Sequence, residues 1–117
     1  MTESRLRAAQ AALERGDAAA AAAEAGALAE DPRGAPRLRS IAFRLRADAR
    51  AGMGDAAGSL DDLRSAVTVT PDDARAWNAL GLACADAGDR GAAAEAFGRA
   101  TAIDPGYARA WSNLGNA

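Results

Sequence analysis

The chain has 117 residues and a formal charge of −2, which suits one domain with its own core and gives no global positive charge to hold nucleic acid. There is no histidine and one cysteine, Cys84, which removes the commonest general base and excludes an internal disulfide and a multi-cysteine metal site. No apolar run approaches membrane-spanning length, and Met1 to Gly16 is charged throughout where a signal peptide needs an apolar stretch, so a cytoplasmic location is the default expectation.

Alanine supplies roughly a third of the residues and large apolar side chains about a fifth, far from ordinary usage. Alanine is the best helix former, and valine is confined to Val67 and Val69, so an all-α chain with closely spaced helices is expected. In chain order, Leu6, Ala9 and Leu13 share one face of a helix from Glu3 to Arg15. Gly16-Asp17 makes a turn, and Ala18 to Glu30, with its six alanines from Ala18 to Ala23, makes a second helix that ends at Asp31-Pro32. Arg33 to Pro36 reads as an insertion. The next helix runs from about Pro36 to Ala51 with Leu38, Ile41 and Leu45 on one face. Gly54-Asp55 repeats the turn, and Leu60, Leu63, Ala66 and Pro71 pattern the helix after it.

Trp77, Leu80 and Cys84 then follow at helical spacing, with Gly81 on the neighbouring stripe where a missing side chain lets a second helix approach. Gly88 ends that helix as a residue free to be left-handed, and Asp89 offers a carboxylate to the amides opening the next. Ala93, Phe97 and Ala100 form a small-large-small seam, and Pro105 stops it after Asp104. The opening residues return 34 positions later as Trp111, Leu114 and Gly115.

This period, with these residue types, resembles the tetratricopeptide repeat family. The resemblance implies a right-handed α-solenoid of antiparallel helical hairpins, with repeats at about 3–32, 36–71 and 72–105 and a partial repeat at 106–117. The first repeat is degenerate. In the second, Phe43 stands at the Trp position, Arg46 and Ala47 replace the Leu-Gly pair, and Arg50 replaces Cys84. The class of work implied is non-catalytic protein interaction, and the alternative is an N-terminal regulatory or substrate-docking arm of a larger enzyme, such as a glycosyltransferase or sulfotransferase. The coding sequence beyond Ala117 separates the two.

No constellation calls for chemistry, a metal or a cofactor. Asp61-Asp62 and Asp72-Asp73 lie near helix starts, where the helix dipole favours a solvated negative charge. Gly52-Met53-Gly54 follows a helix instead of a strand and reads as a turn, not a phosphate loop. Cys84, Trp77 and Trp111 read as core residues. Arg33, Arg37, Arg39, Arg44, Arg46 and Arg50 divide between two helix faces instead of forming one stripe, so they read as a solvated surface and not as a nucleic-acid site.

The family's geometry, in which the first helices of successive repeats line a concave groove, implies binding residues. Ile41, Arg44 and Asp48, then Arg75, Asn78, Leu82 and Asp86, then Arg109, Ser112 and Asn113 would face it. Arg44, Arg75, Asn78, Leu82, Arg109 and Asn113 are the candidates for holding a peptide through its carboxylates and backbone. Some members grip a C-terminal carboxylate with Lys and Asn one helical turn apart. Here lysine is absent, Asp48 follows Arg44 by one turn and opposes an anion, and Arg109 with Asn113 alone has the spacing. Trp111 is expected to bury against the second helix of the third repeat, leaving Leu114 on an open side that invites pairing with another copy.

Overall fold

Gly16, Gly54 and Gly88 hold φ of 80°, 82° and 83°, left-handed values that cost a side chain dearly and glycine nothing. Each ends a helix in the same way. The glycine N–H donates three residues back, and the following aspartate N–H donates to a carbonyl five residues back, from Asp17 to Ala12 at 2.8 Å, Asp55 to Arg50 at 2.8 Å and Asp89 to Cys84 at 2.9 Å. The three aspartates then cap the next helix, their carboxylates accepting from Ala20 N, Gly58 N and Ala92 N at 3.1, 2.8 and 3.0 Å. One dipeptide therefore closes one helix and opens another, which makes a tight antiparallel hairpin.

The computed structural model describes residues 2–116. Residues 1 and 117, the latter the end of the expected partial repeat at 106–117, lie outside the described residues. The elements are α1 (Thr2–Glu14), α2 (Ala18–Ala29), α3 (Pro36–Gly52), α4 (Ala56–Val69), α5 (Ala74–Asp86), α6 (Arg90–Ile103) and α7 (Ala108–Asn116), with no strand among the described residues. Hairpins α1–α2, α3–α4 and α5–α6 stack in order, and α7 packs on α6. The backbones of α1, α3, α5 and α7 each approach the next of that set, whereas those of α2, α4 and α6 do not. The stack is therefore curved, with the odd-numbered helices on its inner side.

The core is built from Phe43, Leu63, Val67, Leu80, Cys84 and Phe97, separated by fully buried alanines such as Ala42, Ala66, Ala76 and Ala93. A Cβ added to Gly81 would fall on the edge of the Phe97 ring, so the glycine is there to seat the aromatic of the partner helix. Gly115 has no such neighbour, because no described helix packs against α7 as α6 packs against α5. The insertion at 33–36 lengthens a helix instead of a loop. Ser40 is the residue 34 places before the first residue of α5, yet α3 begins at Pro36, an extra turn.

Three expectations need correction. The arginines of α3 are not all a solvated surface. Arg46 is 8% exposed and Asp62 only 2%, and the Arg46 guanidinium donates to Asp62 Oδ1 at 2.8 Å and to Glu30 Oε1 at 2.9 Å, while Arg50 reaches Asp62 Oδ2 at 3.1 Å. Asp62 is therefore a buried counter-ion and not a solvated charge at a helix start. Its charge can be buried because three donors satisfy it. Burial presses the Arg46 pKa down, but its hydrogen bonds to Asp62 and Glu30 outweigh that and hold it above its usual value. Gly26 of α2 leaves the room, since a Cβ there would sit 3.0 Å from an Arg46 terminal nitrogen. Arg39 is also tied, donating to Ala29 O at 3.0 Å.

The second correction is Trp111, which is 52% exposed instead of buried. Its indole N–H donates to Pro105 O at 2.7 Å, as that of Trp77 donates to Pro71 O at 2.8 Å. The signature tryptophan thus fastens the turn between repeats. Trp77, half-buried, is additionally covered by the Arg99 guanidinium of α6, 5.0 Å from the ring centroid; no described helix supplies such a cover to Trp111. The third is Asp86, which does not face the inner groove. It lines a separate 280 Å³ recess at the hairpin ends with Gly54, Ser59 and Leu60.

Candidate functional site

On the inner side, Arg44 of α3, Arg75, Asn78 and Leu82 of α5, and Arg109 of α7 line one groove of 550 Å³ together with Ala79 and Tyr107. The 34-residue period explains the assembly: Arg75 and Arg109 stand two residues before Trp77 and Trp111, so each occupies the same corner of its repeat. Arg75, Leu82 and Arg109 are exposed and Arg44 is half-buried. No carboxylate lines this groove. Among the described residues, none of the three arginines joins an ion pair, and Arg44 Nε is buried with no hydrogen-bond partner.

Asn113 does not line the groove. Its Nδ2 donates to Asn78 Oδ1 at 2.9 Å, and Asn78 Nδ2 reaches the Tyr107 hydroxyl at 3.5 Å. Asn78 is 6% exposed, so this amide pair joins α5 to α7, and Arg109 and Asn113 do not converge on one anion. Ile41, Arg44 and Asp48 line a further recess of 340 Å³ against Leu6, Arg7 and Gln10 of α1. Desolvation raises the Asp48 carboxyl above its usual range there, against the pull of Arg44. Ser112 is exposed and lines none of these walls. Cys84 lies 4% exposed in the core, where burial pushes its thiol up and away from nucleophilic use.

Tyr107 was missed by sequence reasoning, although a signal existed. In the 34-residue frame it falls where Asp73 caps α5 by accepting from Arg75 N at 3.0 Å. An aromatic at a capping position serves something other than the cap. Arg37, Ile103 and Asp104, which line a neighbouring 590 Å³ recess, carried no signal because each reads as an ordinary helix-end residue.

Residues 74–107 match the model of the tetratricopeptide repeat. That stretch is a tetratricopeptide repeat. Among solved structures it is similar to the tetratricopeptide repeat domain of Sgt2 from Aspergillus fumigatus, with a TM-score of 0.83 and 24% identity over 98% of this chain and 75% of that one. It is also similar to two structures of MamA, with TM-scores of 0.77 and 0.61 at 20% and 19% identity, each over 98% of this chain. The chain spans 65% of the first MamA structure and 79% of the second. No curated protein matches by sequence. These likenesses establish the tetratricopeptide repeat solenoid as the fold. Among the described residues no helix is long and apolar enough to cross a membrane, and no three metal-ligating side chains cluster.

Proposed function

We propose that this tetratricopeptide repeat protein is a non-catalytic interaction module that holds an extended, acidic segment of a partner protein along its inner groove. The observation that carries the reading is the 550 Å³ groove with Arg44, Arg75 and Arg109 on its walls and no carboxylate among its lining residues. A buried donor without a partner costs about 1 to 3 kcal/mol, and Arg44 Nε is such a donor, so an incoming carboxylate or backbone carbonyl recovers what the free protein forgoes. Leu82, 45% exposed, adds an apolar contact beside the charges, which suits a peptide better than a small inorganic anion. The absence of histidine and the burial of Cys84 support the non-catalytic reading.

Titration calorimetry at low salt with a synthetic glutamate-rich peptide tests this, because exposed charges are screened beyond about 10 Å at 0.1 M salt. Binding is expected for the parent chain and absent for the Arg75→Glu/Arg109→Glu variant, whose helicity by circular dichroism stays unchanged. Equal binding by the reversed variant overturns the reading.

A further inference from the structure

At the N-terminal end of α5 the arginine-lined groove adjoins the 590 Å³ recess, and the two share Arg44 and Arg75. The extra N-terminal turn of α3, where this chain departs from the 34-residue period, brings Arg37 onto the wall of the recess. The charge pattern differs from that of the arginine pocket. Cations come from Arg37 and Arg44 of α3 and Arg75 of α5, whereas Asp72 and Asp73 of the turn before α5, and Asp104 at the end of α6, add three carboxylates that the groove lacks. Among the described residues no ion pair joins these arginines to these aspartates. Asp73 and Asp104 each use Oδ1 to accept a backbone N–H, from Arg75 and Gly106, which leaves Oδ2 of each for a ligand. Asp72 is exposed and accepts no hydrogen bond among the described residues. Ile41, half-buried, and Ile103, 39% exposed, line the same recess.

We infer that the segment bound along this groove is bipolar: an acidic residue lies over Arg44, Arg75 and Arg109, an apolar residue rests on Ile41 and Ile103, and a basic residue faces Asp72, Asp73 and Asp104. The inference rests on the groove being a peptide site and goes on to state the charge order of the peptide. Charge complementarity commits the recess to this occupant: its three arginines and three aspartates match a segment that carries both signs, whereas a uniformly acidic one would leave the three carboxylates facing like charge. The groove and the recess share Arg44 and Arg75, so the acidic and basic residues are near neighbours in the segment, about two to three positions apart at about 3.3 Å per extended residue.

The test uses the full chain and three labelled peptides of equal length, followed by fluorescence anisotropy at low salt. One carries two glutamates, a leucine and an arginine at this spacing. In the second the arginine is glutamine, and in the third the glutamates are glutamine. The bipolar peptide is expected to bind about threefold to tenfold tighter than the acidic one, the range of one or two exposed charge pairs. Asp72→Lys should erase that difference without weakening the acidic peptide, and Asp72→Asn, the milder change, should erase part of it. Equal affinity of the bipolar and acidic peptides, or an unchanged difference in Asp72→Lys, overturns the bipolar inference while the acidic-groove reading stands. Tight binding of the third peptide with none of the acidic one, or binding of no peptide, overturns both.

Discussion

The buried Arg46–Asp62 pair stands where the third repeat has Leu80 and Ala96, each 34 residues on, and this equivalence defines a sharp perturbation. Leu80 and Ala96 are 8% and 2% exposed, so the same two sites are apolar in one repeat and ionic in the next. Asp62→Ala strands the Arg46 guanidinium at 8% exposure with only Glu30, whose side chain is 69% exposed, as a partner. Removing one member of a buried pair costs about 3 to 5 kcal/mol, and the surviving Glu30 contact puts this case at the lower end, about 3 kcal/mol. That is a large share of the roughly 5 to 15 kcal/mol holding such a domain together, and lowers Tm by about 10 °C or more. The double variant Arg46→Leu/Asp62→Ala copies the pair of the third repeat and removes both desolvation costs, and such replacements are often neutral or stabilising. A void beside Gly26 offsets part of the gain, so the double variant should melt within a few degrees of the parent. Thermal and urea melts followed by circular dichroism, with Arg46→Leu added to close the four-chain cycle, should give a coupling energy of about 2 to 3 kcal/mol between the sites. A double variant as unstable as Asp62→Ala would refute the argument, since the cost would then lie in lost packing and not in a stranded charge.

Gly81 and Gly98 both sit within helices but predict opposite outcomes. Gly81→Leu, whose side chain meets the Phe97 ring, should lower stability by about 1 to 3 kcal/mol, whereas Gly98→Ala meets nothing within 4 Å and should raise it by roughly 0.5 to 1 kcal/mol; urea melts of the two variants read the sign directly. Cys84 should react slowly with iodoacetamide at pH 8 in the native chain and fast in urea, because burial both shields the thiol and raises its pKa; fast native labelling followed by mass spectrometry would contradict its place in the core. The amides of α7 should exchange first among the helices, since its buried residue is Ala110 and Trp111 is exposed; protection equal to that of α5 would mean that the Asn78–Asn113 bridge holds α7 more firmly than its packing suggests.

The hairpins were legible in the sequence because their causes are local. A glycine that must be left-handed followed by an aspartate that must cap is a two-residue rule, and it marks the turns at 16, 54 and 88 without reference to distant contacts. The 34-residue period carries that rule into three dimensions, which is why Arg44, Arg75, Asn78, Leu82 and Arg109 could be placed on one wall before any coordinates. What tertiary structure alone decided is the state of each polar side chain. Arg46 and Arg44 are two positions apart on one helix and alike in chemistry, yet Arg46 points between α2 and α4, where Gly26 leaves room and Asp62 waits, while Arg44 faces the groove with its Nε unpartnered. Asn78 and Asn113 likewise pair with each other across 35 residues. Burial and pairing depend on what a neighbouring element brings to the same point, and no window of sequence contains both partners.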